Sequence, residues 1–179
     1  MQEVWSRKRH SVVHTKLLIT QAVNSLNAVY DSLLILRNEM NRLASQLPEY
    51  DLVMGMNGVG KVTGPQLMAE IGDVRRFSHK GALVAFAGVD APPFQSGTFE
   101  SKQRHVSKRG SPHLRKILFE IASMILVNKN LDNPVYCFMD RKRAEGKHYY
   151  VYTIAGAAKF LQIYYAKVKE YLHAIESAA

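Results

Sequence analysis

Ser96, Ser101 and Ser107 stand in a stretch from Gly88 to Leu118 that also carries Lys102, Arg104, Lys108, Arg109, Arg115 and Lys116, with His105 and His113 beside them. No acidic residue lies between Glu100 and Glu120. Such a run repels itself unless it holds an anion. A serine hydroxyl is a weak nucleophile until its proton is removed. Among cations that neutralise an attacked phosphate, it becomes a candidate for covalent attachment to nucleic acid. Position alone does not rank the three serines, and a loop serine is more often a turn or cap residue. Pro92, Pro93, Gly97 and Gly110 space the cations along a loop or hairpin, the kind of segment that carries binding and chemistry on a rigid scaffold.

Other chemistries fit less well. A two-metal nuclease needs carboxylates that converge on divalent ions. Here Asp51, Glu70, Asp73, Asp90, Glu100, Glu120, Asp132, Asp140 and Glu145 are scattered with no pair at a telling spacing. No metal site is expected within the chain. Gly55 to Lys61 approaches a phosphate-binding loop, but Val62 stands where the metal-binding hydroxyl is required and no strand pattern precedes it. Cys137 is the single cysteine, so there is no disulfide framework and no Cys/His cluster.

The elements that must position the loop follow from hydrophobic spacing. From Val12 to Leu47 no Gly or Pro interrupts the chain, and Ile19, Val23, Leu26, Tyr30, Leu33, Met40, Ala44 and Leu47 recur at alternating steps of four and three, broken only by Arg37. That pattern predicts a long helix with a coiled-coil seam, ended by Pro48. Residues 48–72 read as two short helices around Asn57-Gly58-Val59-Gly60, resembling a helix-hairpin-helix in which main-chain amides near Gly58, Gly60, Lys61 and Thr63 face a phosphate. Thr63 is a candidate N-cap ahead of Pro65, and Ser78 a candidate N-cap for a helix through Ala87. Ser111-Pro112 and Asn133-Pro134 each predict a cap followed by proline in the first helical turn. The final helix is expected from Tyr149 to about Ala174, with its tyrosines mainly in the core.

The 179 residues are 47% hydrophobic and 22% charged, enough for a folded core, and the net charge of +9 favours a polyanionic partner. No apolar run approaches membrane-spanning length. An intracellular, reducing compartment fits, and no membrane partner is expected.

The series GVGKVTGPQLMAEIGD, RFSHKGALVAFAGV and QSGTFESKQRHVSKRGSPHLRKILF resembles the C-terminal transposase domain of the insertion sequence 110/116/902 family, which includes bridge-RNA-guided recombinases and DNA invertases. The likeness runs over about residues 53–172. It implies that Ser96, in the Ser-Gly-Thr element, is the nucleophile, and that Ser107, in the Ser-Lys-Arg-Gly element, is structural or a phosphate contact. Phe99-Glu100-Ser101-Lys102 stand where the family often has Arg-Gly pairs. The resemblance further implies a RuvC-like domain with four metal-binding acids, to which nothing in this sequence corresponds. A divalent metal, Mg, is expected there, with no cofactor in this chain, and a prokaryotic cytoplasm is the implied setting.

The expectation is therefore a mainly α chain. Residues 1–48 form a coiled-coil dimerisation segment, and residues 49–179 form a helical DNA-binding and recombining domain with a helix-hairpin-helix-like motif and a basic loop or β-hairpin. The expected function is DNA recombination through Ser96, dependent on the metal-binding domain. Gly58, Gly60, Lys61, Thr63, Lys102, Arg104, His105, Ser107, Lys108, Arg109, His113, Arg115 and Lys116 are the expected nucleic-acid contacts. DNA, a guide RNA and further copies of the chain are the expected partners. The competing reading is a dimeric DNA- or RNA-binding module without chemistry.

Overall fold

The computed structural model describes residues 2–92, 95–96, 99–100 and 105–178, with side chains for residues 14–92 and 105–178. The fold is mainly α, with seven α-helices among the described residues. The chain divides into two units, Met1–Met40 and Asn41–Ala179. The first is almost wholly helix α1, Gln2–Ala44, which begins earlier than the expected Val12 because no breaker precedes it. Its apolar stripes lie open: Ile19, Val23, Leu26 and Leu33 on one seam and Val29, Leu36 and Leu43 on the other are all exposed.

Helix α1 stops at Ala44, before the expected Leu47. Pro48 has no N–H to bond the Ala44 carbonyl, and a residue ahead of proline is disfavoured in the helical region. The chain tightens instead, with Leu47 N–H on Ala44 O at 3.0 Å and Gln46 N–H on Leu43 O at 3.2 Å.

In the second unit two short helices, α2 (Tyr50–Met54) and α3 (Thr63–Ile71), flank the glycine hairpin. Gly58 turns it with φ of +85°, and a Cβ there would lie 2.6 Å from Ile125 Cγ1 and 2.7 Å from the Ile121 carbonyl. Only glycine meets both demands. Thr63 is the first residue of α3 and not its cap: Val62 holds the capping position without a side-chain bond, and Thr63 Oγ1 accepts the Gly60 N–H at 2.9 Å.

A 3₁₀ turn at Val74–Arg76 leads to α4, Lys80–Ala87, capped by His79 and not by Ser78. The His79 Nδ1 accepts the Ala82 N–H at 3.2 Å. Phe77, just upstream, is buried and its carbonyl accepts the Tyr165 hydroxyl at 3.0 Å, which fixes where the chain can turn into the helix.

Helices α5 (Pro112–Asn128) and α6 (Pro134–Ala144) start at the expected Ser111-Pro112 and Asn133-Pro134 signals. Helix α7, Tyr149–Ala178, is the spine of the unit and packs against α4, α5 and α6. Leu161, Tyr164 and Val168 meet Leu118, Ile121 and Met139 in a single core. Gly156 leaves room for Met139, since a Cβ there would stand 2.1 Å from its Sδ. Tyr164 is nearly fully buried, and burial raises its hydroxyl above the ordinary tyrosine range, with the Glu49 carboxylate adding to the effect. No helix in the described residues is long and apolar enough to cross a membrane.

Candidate nucleic-acid interface

The basic loop is held shut at its base. Its incoming arm leaves α4 at Gly88, a left-handed C-cap with φ of +65°, and runs through Val89 and Asp90. The outgoing arm lies beside it: Ser107 N–H bonds Asp90 O at 2.8 Å, Lys108 N–H bonds Gly88 O at 3.1 Å, and Ser111 N–H bonds Phe86 O at 2.8 Å. Gly110 fits because a Cβ there would stand 2.0 Å from the Phe86 carbonyl oxygen. Side chains lock the same seam. Ser107 Oγ donates to Asp90 Oδ1. Ser111 Oγ donates to Glu70 Oε2 at 2.9 Å while accepting the Leu114 N–H at 3.1 Å, so one serine caps α5 and ties it to α3.

Between these arms lies the segment with Ser96. Its described backbone is a two-residue antiparallel ladder, β1 (Gln95–Ser96) on β2 (Phe99–Glu100), pairing Ser96 with Phe99. The Ser96 side chain, Lys102 and Arg104 lie outside what is described.

The remaining expected contacts divide by place and by duty. His105, Lys108, Arg109, His113 and Lys116 are exposed around the clamp and the first turn of α5. Lys108 holds its charge outward from a left-handed backbone, φ +53°. Lys116 lies 3.7 Å from Glu120 with three quarters of its side chain exposed, a pair too wet to hold it from an anion. Arg115 differs, since its guanidinium donates to Ala87 O at 3.1 Å and braces the clamp. The Ser107 hydroxyl is likewise committed to Asp90.

The glycine hairpin is not part of this cluster. Gly58 packs on Ile121 and Ile125, and Asn57 meets Asn128 at 3.4 Å, so the hairpin sits along the later turns of α5. At 1.5 Å per residue, Gly58 is about 14 Å along the helix from Pro112. The Gly60 amide is spent on Thr63 Oγ1. Lys61 is exposed beside it. Two separate cationic places result.

Residues 50–136, from α2 into α6, match the model of the transposase IS116/IS110/IS902 family. The match and the relatives below support this transposase family for the chain. Among its relatives, the insertion element IS110 uncharacterized 43.6 kDa protein of Streptomyces coelicolor is 25% identical over 154 residues, which is 86% of this chain and 37% of that protein. The pilin gene-inverting protein of Moraxella bovis is 30% identical over 144 residues, 78% of this chain and 44% of that protein. The insertion element IS900 uncharacterized 42 kDa protein of Mycobacterium paratuberculosis is 26% identical over 122 residues, 68% of this chain and 30% of that protein. The chain thus spans less than half the length of these curated relatives.

The family match contains both arms of the clamp, and with them two carboxylates that sequence spacing hides. Asp90 and Ser107 are separated by 17 residues and Glu70 and Ser111 by 41. Each acid holds a serine of the Ser-Lys-Arg-Gly-Ser run. Among the described residues no group of three or more His, Cys, Asp or Glu is placed to hold a metal ion.

Proposed function

We propose that this chain is the DNA-binding and strand-exchanging part of a serine-using transposase or site-specific recombinase. The observation that supports this most is the clamp: a loop bearing Ser96 is closed at its base and seated at the N-terminus of a core helix, ringed by exposed Lys108, Arg109 and Lys116. Helix N-termini and nearby cations favour a phosphate. The printed name of the Moraxella relatives, a pilin gene-inverting protein, supports the same class of activity.

In this reading Ser96 Oγ forms a bond to phosphorus while one phosphorus–oxygen bond to deoxyribose breaks. The serine proton passes to a base, and the departing oxygen takes up a proton. Lys102, Arg104, Lys108 and Arg109 neutralise charge that builds on the phosphate. Arg115, Ser107 and Asp90 hold the loop. A divalent metal, Mg, would be supplied with the RuvC-like acids the family resemblance implies, and the chain's own residues bind and orient the DNA. A guide RNA is a second polyanion that the Lys61 hairpin could serve.

Binding should then be chiefly electrostatic. The affinity of the chain for duplex DNA, measured by fluorescence anisotropy, is expected to fall steeply from 50 to 200 mM salt. Lys108→Gln and Arg109→Gln should each lower the slope of log affinity against log salt by about one. Salt-independent binding would contradict the assignment.

The open stripes of α1 suit a second copy of the chain. Light scattering is expected to give a dimer, and Leu26→Asp with Leu33→Asp a monomer, because a charge in a seam position is buried without a partner. A monomeric parent at every concentration would exclude this mode of pairing.

A further inference from the structure

Beyond the clamp, the outer face of α5 meets a cluster of rings at the start of α7. Tyr150 lies near-parallel to Phe119, with centroids 5.9 Å apart at 23°, and to His148, at 5.6 Å and 25°. Tyr149 stands edge-on to Phe119 and Tyr150 and, on its other side, to Tyr152, which packs on the core. The Tyr149 hydroxyl is 3.2 Å from Ser123 Oγ. Tyr149 is therefore a pillar tied to α5 and the core, and its presence is explained by packing.

Tyr150 and His148 are not explained that way. Tyr150 is 62% exposed, and its hydroxyl makes no hydrogen bond among the described residues. His148 is exposed as well. A ring array left in water is a surface on which another flat ring can be added. Its surroundings define which ring. Lys116 is one turn before Phe119 on α5, a rise of about 4.5 Å, and exposed Lys147 directly precedes His148. Cations beside open aromatic faces are the pattern that holds a nucleic-acid strand by its phosphates and its bases together. Bases inside a duplex are already stacked on their neighbours, so only an unpaired base can join the array.

We propose that Tyr150 and His148, supported by Phe119 and Tyr149, form a stacking platform for an unpaired base of a single strand whose backbone is held by Lys116 and the first turn of α5. This rests on reading the chain as a DNA-binding domain, and adds that it grips a displaced strand as well as a duplex.

The test uses the 179-residue chain and two oligonucleotides, a single strand carrying 2-aminopurine and a duplex of the same sequence without it. The parent is expected to quench the 2-aminopurine fluorescence on binding. Tyr150→Ala should remove most of the quench and weaken single-strand affinity about tenfold, with duplex affinity within about twofold of the parent. Tyr150→Phe, which keeps the ring, should retain both signals. Single-strand binding and quenching indifferent to Tyr150→Ala would overturn the platform while leaving duplex binding intact. An equal loss on duplex would also overturn it, as would a loss of self-association by light scattering with DNA binding unchanged, which would make the cluster a protein-docking surface. A parent that bound neither oligonucleotide would overturn the DNA-binding reading itself, and the platform with it.

Discussion

Gly110→Ala is expected to destabilise the second unit by roughly 3 kcal/mol or more and to abolish presentation of the basic loop. The added Cβ would lie 2.0 Å from Phe86 O, 2.5 Å from Phe86 C and 2.6 Å from the Gly88 nitrogen. All three are backbone atoms and cannot swing aside as a side chain would. Relief requires the two arms to part, which breaks the Ser111–Phe86 and Lys108–Gly88 main-chain bonds and lifts buried Ala87 and Val89 from the core. Overpacking alone costs about 1–3 kcal/mol, and each lost hydrogen bond adds about 0.5–1.5. Gly146→Ala is the matched control. Its φ is +75°, but nothing lies within 4 Å of the added Cβ, so only backbone strain of about 1 kcal/mol is expected. Urea titrations of the two variants would separate these cases, and a Gly110→Ala midpoint equal to the parent's would show that the arms are not held as described.

How far the sequence revealed this arrangement depends on the range of the interaction. Ser111-Pro112 and Asn133-Pro134 were legible because a cap and its helix are neighbours in the chain, and both form, with Ser111 Oγ and Asn133 Oδ1 accepting from the first turn. The glycine hairpin was legible for the same reason. The cap of α4 was displaced from Ser78 to His79, because buried Phe77, fixed by Tyr165 from α7, decides where that helix begins. Composition favours serine there, and tertiary packing overrides it. Arg115 illustrates the limit within the site. It reads as one more phosphate contact, and its guanidinium also donates to a carbonyl 28 residues earlier in the chain, a tie that spacing does not announce. The Phe119–Tyr150 array joins α5 to α7 and has no local signature at all. Sequence spacing announces helices, caps and charge. Partners that meet only when the helices pack stay hidden.

Ser107 shows what the structure adds to the choice among the serines. Its hydroxyl is held by Asp90, and its amide by the Asp90 carbonyl, so the residue that sequence position could not separate from Ser96 is a brace. Ser96 and Ser101 remain the candidates by position, their side chains outside the described residues, and the family resemblance implies Ser96.

The decisive measurement is where DNA becomes attached. A longer protein that carries this segment, supplied with Mg, would be incubated with end-labelled substrate DNA, quenched in denaturant and digested with trypsin. The predicted result is a nucleotide mass on the peptide Gly81–Lys102, localised to Ser96 by fragmentation. Ser96→Ala should reduce the denaturation-resistant species by about a thousandfold or more while salt-dependent DNA binding persists, since a nucleophile cannot be replaced by its neighbours. An adduct on His105–Lys108 would place the chemistry on Ser107, and an adduct unaffected by Ser96→Ala would contradict the central claim.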